Sequence, residues 1–233
     1  MPLTKKVRVI TVVVVAIDGP SGSGKSSTSR AVAEHFGWAY LDTGAMYRAM
    51  AWAWLQSGLP IEDEAAVAAL LRGVSLAVGT DPSDPTIRVE TTDVTEAIRE
   101  PRIYSQVSKV SSIQRVRDDL ILRQRAVIEA AFDGIVVEGR DITTVVAPHA
   151  DVRILLVADP QARVARRAAE LGERATGAEV TDQVIRRDAD DSKVTAFTEA
   201  AEGVTVIDST RDDLPTVVGR VVTLVEQALA GKP

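Results

Sequence analysis

The clearest chemical pattern in the sequence is the segment of residues 19–26, which reads Gly-Pro-Ser-Gly-Ser-Gly-Lys-Ser. It fits the phosphate-binding pattern G-x-x-x-x-G-K-[ST] at every fixed position. Its glycines let successive backbone N–H groups point at one anion, and a following helix adds its positive end. Lys25 can reach the β- and γ-phosphates of a nucleoside triphosphate, and the Ser26 hydroxyl can ligate Mg²⁺. The residues predicted to bind ATP are Gly19, Pro20, Ser21, Gly22, Ser23, Gly24, Lys25, Ser26 and Ser27.

A phosphate loop alone does not separate an NTPase, a GTP-dependent switch and a small-molecule kinase. Guanine-binding switches usually carry an N/T-K-x-D motif, and the sequence has none. A motor ATPase would normally need more chain than 233 residues. A kinase needs a second, basic site for its acceptor, so the rest of the sequence can be searched for one.

Two segments could form that acceptor site. Thr43 can cap a second helix and offer its hydroxyl to an anion, with Arg48 about one turn further on. The apolar run that ends at Val137 is followed by Glu138, Gly139, Arg140 and Asp141. Open α/β folds bind ligands at the carboxyl ends of their strands, where these charged side chains would lie. Glu138 could support Mg²⁺, Arg140 could contact a phosphate, and Asp141 could accept hydrogen bonds from a sugar or an amino group.

Arginines are concentrated in the last third of the chain. Arg163, Arg166 and Arg167 follow Asp159-Pro160, Arg174 lies in the loop beyond, and Arg186 and Arg187 come with a run of aspartates. Arginines that close over two bound substrates neutralise the charge on the transferring phosphoryl group and exclude water. We therefore predict an arginine-rich lid at about residues 163–187. The residues predicted to be catalytic are Lys25, Arg163, Arg167 and Arg187.

The elements that must position these residues alternate between strand and helix. Val7–Ile17 is a β-branched run typical of a strand buried on both faces, and helices are predicted from Lys25 and from Thr43. Further strands are predicted at 134–138, 152–157 and 204–207, with helices at 160–171, 178–190 and 214–229. This order predicts an α/β fold with a parallel sheet flanked by helices.

The residues between about 59 and 131 interrupt that alternation. Two short strand-like runs, 74–78 and 86–90, flank a polar turn, and helical segments follow. We interpret residues 59–131 as an inserted small α/β domain, and residues 1–58 and 132–233 as the core domain. We expect the two tryptophans of the second helix, Trp52 and Trp54, to be packing residues.

Composition narrows the class of protein. The formal net charge of −6 argues against a general nucleic-acid or membrane-surface binder, and the absence of cysteine excludes disulfides and thiolate sites. The apolar run near the N-terminus contains Arg8 and Thr11 and is too short to span a bilayer. We expect a cytoplasmic monomer that binds neither nucleic acid nor membrane.

Together these motifs resemble the bacterial cytidylate (CMP/dCMP) kinases over nearly the whole chain. The resemblance is carried by four segments and by the inserted hairpin, which is similar to the family's enlarged monophosphate-binding domain. The segments are 17–25 (IDGPSGSGK, with its proline after the first glycine), 41–48 (LDTGAMYR), 138–141 (EGRD) and 145–148 (VVAP).

The resemblance implies roles by position. Thr43, Arg48 and Arg140 would hold the CMP phosphate, Ser108 and Arg117 would read the cytosine, and Asp141, Arg187 and Asp191 would hold the sugar and nearby groups. The chain departs from the family pattern at Gln114, where a proline is usual, and at Val194, where an arginine is usual. The implied substrate-binding residues are Thr43, Tyr47, Arg48, Ser108, Arg117, Arg140, Asp141, Arg187 and Asp191.

The sequence thus predicts ATP- and Mg²⁺-dependent phosphorylation of CMP and dCMP by direct in-line transfer. Two alternatives stay open at this point. One is a phosphate-loop kinase acting on a non-nucleotide hydroxyl such as shikimate or gluconate. The other is a nucleotide-dependent switch or binding module, which would hydrolyse ATP slowly without an acceptor.

Overall fold

The computed structural model describes residues 12–171 and 199–231. Its strands and helices follow the predicted alternation, and the chain has an α/β fold. In chain order the elements are β1 (Val13–Asp18), α1 (Lys25–Phe36), β2 (Ala39–Asp42), α2 (Thr43–Ser57), α3 (Glu64–Gly73), β3 (Leu76–Val78), β4 (Ile87–Val89), β5 (Thr92–Asp93), α4 (Pro101–Tyr104), α5 (Val107–Ser111), α6 (Gln114–Glu129), β6 (Gly134–Gly139), β7 (Val152–Val157), α7 (Pro160–Leu171), β8 (Thr205–Asp208) and α8 (Leu214–Ala230).

The central sheet is parallel, with the described strands in the order β2-β6-β1-β7-β8. The three middle strands, β6, β1 and β7, are rich in β-branched and aliphatic residues and are largely buried, as expected when helices cover both faces of the sheet. The register places Glu138 of β6 beside Asp42 of β2 and beside Ile17 of β1. The carboxyl ends of these three strands therefore meet at one edge, where ligands of open α/β sheets bind.

Different elements cover the two faces of the sheet. On one face, α1 and α8 pack against the strands, and α8 contributes Val217, Val221 and Val225 at a spacing of four residues. On the other face, α2 contributes Met50 and Trp54 to a cluster that also contains residues of β1, β2 and β6. Residues of the segment 59–131 belong to this second cluster, so α2 joins that segment to the sheet.

The segment 59–131 contains the predicted hairpin. Strand β3 pairs antiparallel with β4, and β5, which the sequence analysis missed, pairs antiparallel with β4. The hairpin turn also contacts the central sheet, because the Tyr40 N–H donates to the Thr80 carbonyl at 2.8 Å. Arg30 of α1 donates to the Pro82 carbonyl at 2.7 Å. The domain boundaries at residues 58 and 132 stay a prediction.

Most predicted elements agree with the structure to within two residues. Trp54 is buried and Trp52 half-buried, which confirms their packing role. The first described strand begins at Val13, and the N-terminal part of the predicted strand lies outside the described residues. The helix predicted at 178–190 also lies outside them.

Candidate active site

A single cavity of about 870 Å³ contains residues from both predicted halves of the site. The phosphate loop forms one end, and the acceptor residues from α2, α6 and the loop after β6 form the other. This arrangement brings together residues that are widely separated in the sequence. The predicted site residues that line the cavity are Ser21, Gly22, Gly24, Lys25, Ser26, Ser27, Thr43, Tyr47, Arg48, Arg117, Glu138, Arg140, Asp141 and Arg167.

The phosphate loop has the backbone that its glycines predict. Gly22 and Gly24 have φ angles of 75° and 93°, which favour glycine, and Gly24 is the N-cap residue of α1. Because glycine has no side chain to cap the helix, the first N–H groups of α1 face the cavity end of the loop. The Lys25 ammonium donates to the Pro20 carbonyl at 2.9 Å, which holds the side chain back over the loop.

The loop is also packed closely against α7. A Cβ atom at Gly22 would lie 2.6 Å from the Arg163 carbonyl oxygen, a distance that only glycine allows. The Arg163 guanidinium is buried and donates to the Ser21 carbonyl at 3.1 Å. Arg163 is not among the residues that line the cavity. Its contact with the Ser21 carbonyl supports the loop from the α7 side, and its predicted catalytic role stays a prediction.

Of the other two arginines of α7 in the predicted lid, Arg167 lines the cavity and Arg166 does not. Arg166 donates to the Ser209 hydroxyl at 2.9 Å and so ties α7 to the end of β8. Arg167 lines the cavity, with its guanidinium carbon 4.7 Å from the centre of the Tyr104 ring. Arg187 and Asp191, together with Arg174 and Val194, lie outside the described residues.

Glu138 lies buried at the end of β6, next to the phosphate loop. The Tyr40 hydroxyl donates to its carboxylate at 2.8 Å. Burial raises the pKa of Glu138, as does the nearby charge of Asp42, whereas Lys25 and a hydrogen bond with the Ser26 side chain act in the opposite direction. Ser26 and Glu138 therefore lie together, as a shared metal site requires.

These two residues fit the requirements of Mg²⁺. Magnesium usually keeps several waters and binds one or two protein groups together with the phosphates of the substrate. Ser26 and Glu138 would supply the protein oxygens. Within residues 12–171 and 199–231 there is no group of three histidine, cysteine, aspartate or glutamate side chains that could hold an ion unaided.

The start of α2 differs from the sequence prediction. Asp42, not Thr43, caps the helix, because the Asp42 carboxylate accepts from the Ala45 N–H at 2.9 Å. The Thr43 hydroxyl instead donates to the Glu138 carbonyl at 2.7 Å. Both residue types are good caps, and the strand extends to Asp42, which puts that residue at the capping position. The predicted capping role of Thr43 is therefore wrong.

Asp42 also forms an ion pair that the sequence analysis did not anticipate. Its carboxylate lies 2.8 Å from a guanidinium nitrogen of Arg48. Burial alone would raise the pKa of Asp42, but Arg48 lowers it below the ordinary value. Gly44 leaves room for the pair, since a Cβ atom there would lie 3.0 Å from the Asp42 carboxylate. The Nε of Arg48 is buried and makes no hydrogen bond with any residue that the structure describes.

A second ion pair lies at the far end of the cavity. A guanidinium nitrogen of Arg117, on α6, lies 2.6 Å from a carboxylate oxygen of Asp141. Both residues are buried. Tyr47 lies nearby. Burial is the main cause that raises the pKa of the Tyr47 hydroxyl, and the negative charge of Asp141 raises it further. Ser108 is half-buried on α5, but the residues of that helix that line the cavity are Val107 and Ser111.

The loop that carries Arg140 and Asp141 is fixed by Asp18, a residue that the sequence analysis missed. The Asp18 carboxylate accepts from the N–H groups of Ile142 and Thr143 at 2.9 and 2.8 Å. It also accepts from the Thr143 hydroxyl at 2.7 Å. The Arg140 guanidinium donates to the Gly19 carbonyl, so this loop is joined to the phosphate loop. An aspartate at the end of a buried strand was the available signal.

The chain matches one protein-family model, described as cytidylate kinase, over residues 15–227. This chain belongs to the cytidylate kinase family. It is 52% identical over 218 residues to a cytidylate kinase of Cutibacterium acnes, covering 93% of this chain and 97% of the relative. It is 46% identical over 229 residues to a cytidylate kinase of Streptomyces avermitilis, covering 97% of each chain. None of the helices in the described part of the chain is long and apolar enough to cross a membrane.

Membership of the family makes this protein a phosphate-loop nucleoside monophosphate kinase, as the motifs predict. The family match runs through the phosphate loop, the segment 59–131 and the loop after β6, so it includes every part of the cavity that the structure describes. Family membership does not decide the individual roles of the lining residues.

Proposed function

We propose that this protein transfers the γ-phosphoryl group of ATP to CMP and dCMP, giving ADP and the cytidine diphosphates. The observation that carries the proposal is the single cavity that joins the phosphate loop to two arginine–aspartate pairs, in each of which the arginine is buried. A phosphate loop that only hydrolysed ATP would have no use for a second basic site in the same cavity. The family match supports cytidylate as the acceptor.

Arg48 is suited to hold the acceptor's phosphate. A buried N–H group without a partner is costly and calls for an explanation, and the Nε of Arg48 is such a group. A phosphate oxygen beside Arg48 would supply the missing acceptor. Arg140, which also lines the cavity and reaches the phosphate loop, would contact the same phosphate from the other side.

Arg117 and Asp141 are suited to read cytosine. Cytosine presents an amino donor beside a ring nitrogen and a carbonyl oxygen, both of which accept hydrogen bonds. A carboxylate can accept from the amino group while a guanidinium donates to the two acceptors. A base that leaves a buried member of this pair unmatched would bind less well, which is how a polar site discriminates.

The reaction requires little proton transfer from the protein. The attacking atom is an oxygen of the acceptor's phosphate, already anionic at neutral pH, so no strong general base is needed. It attacks the γ-phosphorus in line with the leaving oxygen of ADP, and the P–O bond to ADP breaks. Lys25 and Arg167 would neutralise the charge on the transferring group. Ser26 and Glu138 would hold Mg²⁺, which when bound would supply electrostatic stabilisation of the phosphate charge.

The test is a panel of acceptors under saturating ATP and Mg²⁺, with ADP release followed in a coupled assay. We expect CMP and dCMP to have the highest kcat/KM, with UMP and AMP well below. Faster phosphorylation of UMP or AMP would contradict the cytosine assignment, and turnover of shikimate or gluconate would favour the hydroxyl-kinase alternative. ADP release that does not depend on any acceptor would favour a switch or binding module.

The proposal also includes dependence on Mg²⁺. Chelation of Mg²⁺ by excess EDTA should abolish turnover, and added Mg²⁺ should restore it. We also propose that the enzyme is a cytoplasmic monomer that does not bind nucleic acid. Sedimentation of the full chain with and without duplex DNA would check its mass and this predicted lack of binding.

A further inference from the structure

Tyr104 is the last residue of α4, in the segment 59–131, and its side chain lines the cavity. Two arginine side chains lie over its ring. The guanidinium carbon of Arg48 is 5.4 Å from the ring centre, and that of Arg167 is 4.7 Å from it. Both distances are within the range of a cation–π interaction. One aromatic ring therefore contacts two cations that come from different parts of the fold.

The two arginines have different anchors. Arg48 belongs to α2 and is held by the Asp42 carboxylate at 2.8 Å. Arg167 belongs to α7, on the donor side of the cavity, beside the helix turn that supports the phosphate loop. Tyr104 thus connects the acceptor side of the cavity, through Arg48, with the donor side, through Arg167.

Placing two guanidinium groups in one cavity has an electrostatic cost because like charges repel. The face of an aromatic ring carries partial negative charge and attracts both cations. Unlike a carboxylate, the face of the ring attracts a guanidinium group without accepting strong hydrogen bonds from its N–H groups. A ring at this position can therefore orient two arginines without competing with the substrates for their donors.

We propose that Tyr104 is a positioning residue that holds Arg48 and Arg167 toward the phosphates of the two substrates. The proposal rests on the proposed function for the identity of those phosphates, and on the ring contacts alone for the geometry. The part of the side chain that positions the two arginines is the aromatic face, over which both guanidinium groups lie. The phosphorylation rate should therefore depend on the ring and not on the Tyr104 hydroxyl.

The first test compares Tyr104→Phe with Tyr104→Leu in steady-state kinetics. We expect Tyr104→Phe to keep kcat and the KM for CMP within about twofold of wild type. Tyr104→Leu should lower kcat/KM for CMP about tenfold, mostly through kcat, and leave the KM for ATP within about twofold. A Leu variant as active as wild type, or a Phe variant as impaired as Leu, would overturn the proposal.

A control separates positioning from a general loss of stability. Ile103 is the neighbouring residue of α4 and is fully buried, so Ile103→Val weakens the packing of the same helix without touching the ring. We expect Ile103→Val to lower the melting temperature and to keep kcat/KM near wild type. If Ile103→Val lowers kcat/KM as much as Tyr104→Leu, the effect is structural and the positioning role is wrong.

A double-mutant cycle tests the coupling to Arg167. Arg167→Met should reduce kcat/KM several-fold less in the Tyr104→Leu background than in wild type, because the ring has already been removed. If the two reductions multiply, Tyr104 does not act through Arg167.

A measurement without substrate keeps this proposal distinct from the proposed function. In NMR spectra of the substrate-free wild-type protein, the ring current of Tyr104 should shift the Nε–H signals of Arg48 and Arg167 away from their positions in Tyr104→Leu. Those shifts should persist in Tyr104→Phe and disappear in Tyr104→Leu. Their absence from wild type would overturn the geometry whatever acceptor the enzyme uses, whereas failure to phosphorylate CMP with the shifts present would overturn only the acceptor assignment.

Discussion

The two ends of the cavity are built in different ways. The donor end is one short loop whose backbone N–H groups face the site, supported by Gly22, Gly24 and the start of α1. The acceptor end is built from side chains of α2, α6 and the loop after β6, in which Arg48 and Arg117 are each paired with an aspartate. A backbone site binds any triphosphate chain, whereas a site made of paired side chains can select one acceptor.

The pairing at the acceptor end also has an electrostatic reason. A buried arginine without a counter-charge would be strongly destabilising, and Asp42 and Asp141 supply that charge in the absence of substrate. A bound nucleotide must then share each arginine with its aspartate. The donor end needs less compensation, because it is made mostly of uncharged peptide groups and the charge of Glu138 lies near its lysine, Lys25.

The largest effect is expected at the donor end. Lys25→Ala removes the cation proposed to reach the transferring group and should lower kcat roughly a thousandfold. Lys109→Ala, which removes an exposed lysine from α5, is the matched control and should leave kcat unchanged. Stopped assays with CMP and ATP measure both. Near wild-type turnover of Lys25→Ala would refute the assignment of the phosphate loop.

The next largest effect is expected at the acceptor's phosphate. Arg48→Met keeps much of the side-chain volume and removes its donors, so kcat/KM for CMP should fall about a hundredfold. The KM for ATP should change less than threefold, because the donor end does not depend on Arg48. Equal losses for both substrates would show that the two ends are not separable.

A smaller and more selective effect is expected at the base. Arg117→Met leaves Asp141 without its partner and should lower kcat/KM for CMP about thirtyfold, while UMP and AMP lose much less. Arg115 lies two residues earlier on α6 and is exposed, so Arg115→Met is the control. A uniform loss across all acceptors would mean that Arg117 does not read the base.

The smallest effect concerns the stability of the acceptor end. Asp42→Asn keeps an oxygen that can cap α2 and removes the charge that faces Arg48. It should cost about 1.5 kcal/mol of unfolding free energy at neutral pH, between the values for exposed and buried pairs. Urea unfolding of both proteins measures this difference.

The pH dependence of that difference has a definite sign. Arg48 lowers the pKa of Asp42 in the folded protein, so the ionised carboxylate stabilises the fold above the ordinary aspartate pKa of about 4. This stabilisation is lost as the pH falls through the lowered pKa. The difference between wild type and Asp42→Asn should therefore shrink between about pH 5 and pH 3. A difference that stays constant over this range would show that the pair is not the cause.

The donor end could be predicted from the sequence because its function requires a fixed local spacing. The parallel sheet and the inserted hairpin were also predictable, from the alternation of strands with helices and from the turn residues, whereas the order of the strands in the sheet was not predicted. The cap of α2 was assigned to the wrong residue because Asp42 and Thr43 are both capping types, and only the end of β2 decides between them. A one-residue shift in a strand boundary is beyond what a pattern can fix.

The acceptor end was only partly predictable, because its residues act in pairs that are distant in the sequence. Arg48 and Arg117 were expected to bind substrate, but their partners Asp42 and Asp141 could not be matched to them by spacing. Arg163 and Arg167 are four residues apart on α7, and the sequence analysis predicted the same catalytic role for both. The phosphate loop covers the turn that carries Arg163, so only Arg167 lines the cavity.

Helix α2 has a consequence for how this enzyme could be shortened or recombined. Its residues Met46, Met50 and Trp54 belong to one apolar cluster shared by the central sheet and the segment 59–131. The Trp54 indole N–H also donates to the Leu59 carbonyl at 2.9 Å, at the point where that segment begins. Deleting the segment would leave part of the apolar surface of α2 open to water. The segment 59–131 therefore cannot be removed without exposing apolar residues of α2. A smaller version of the enzyme would need polar residues on that surface of the helix.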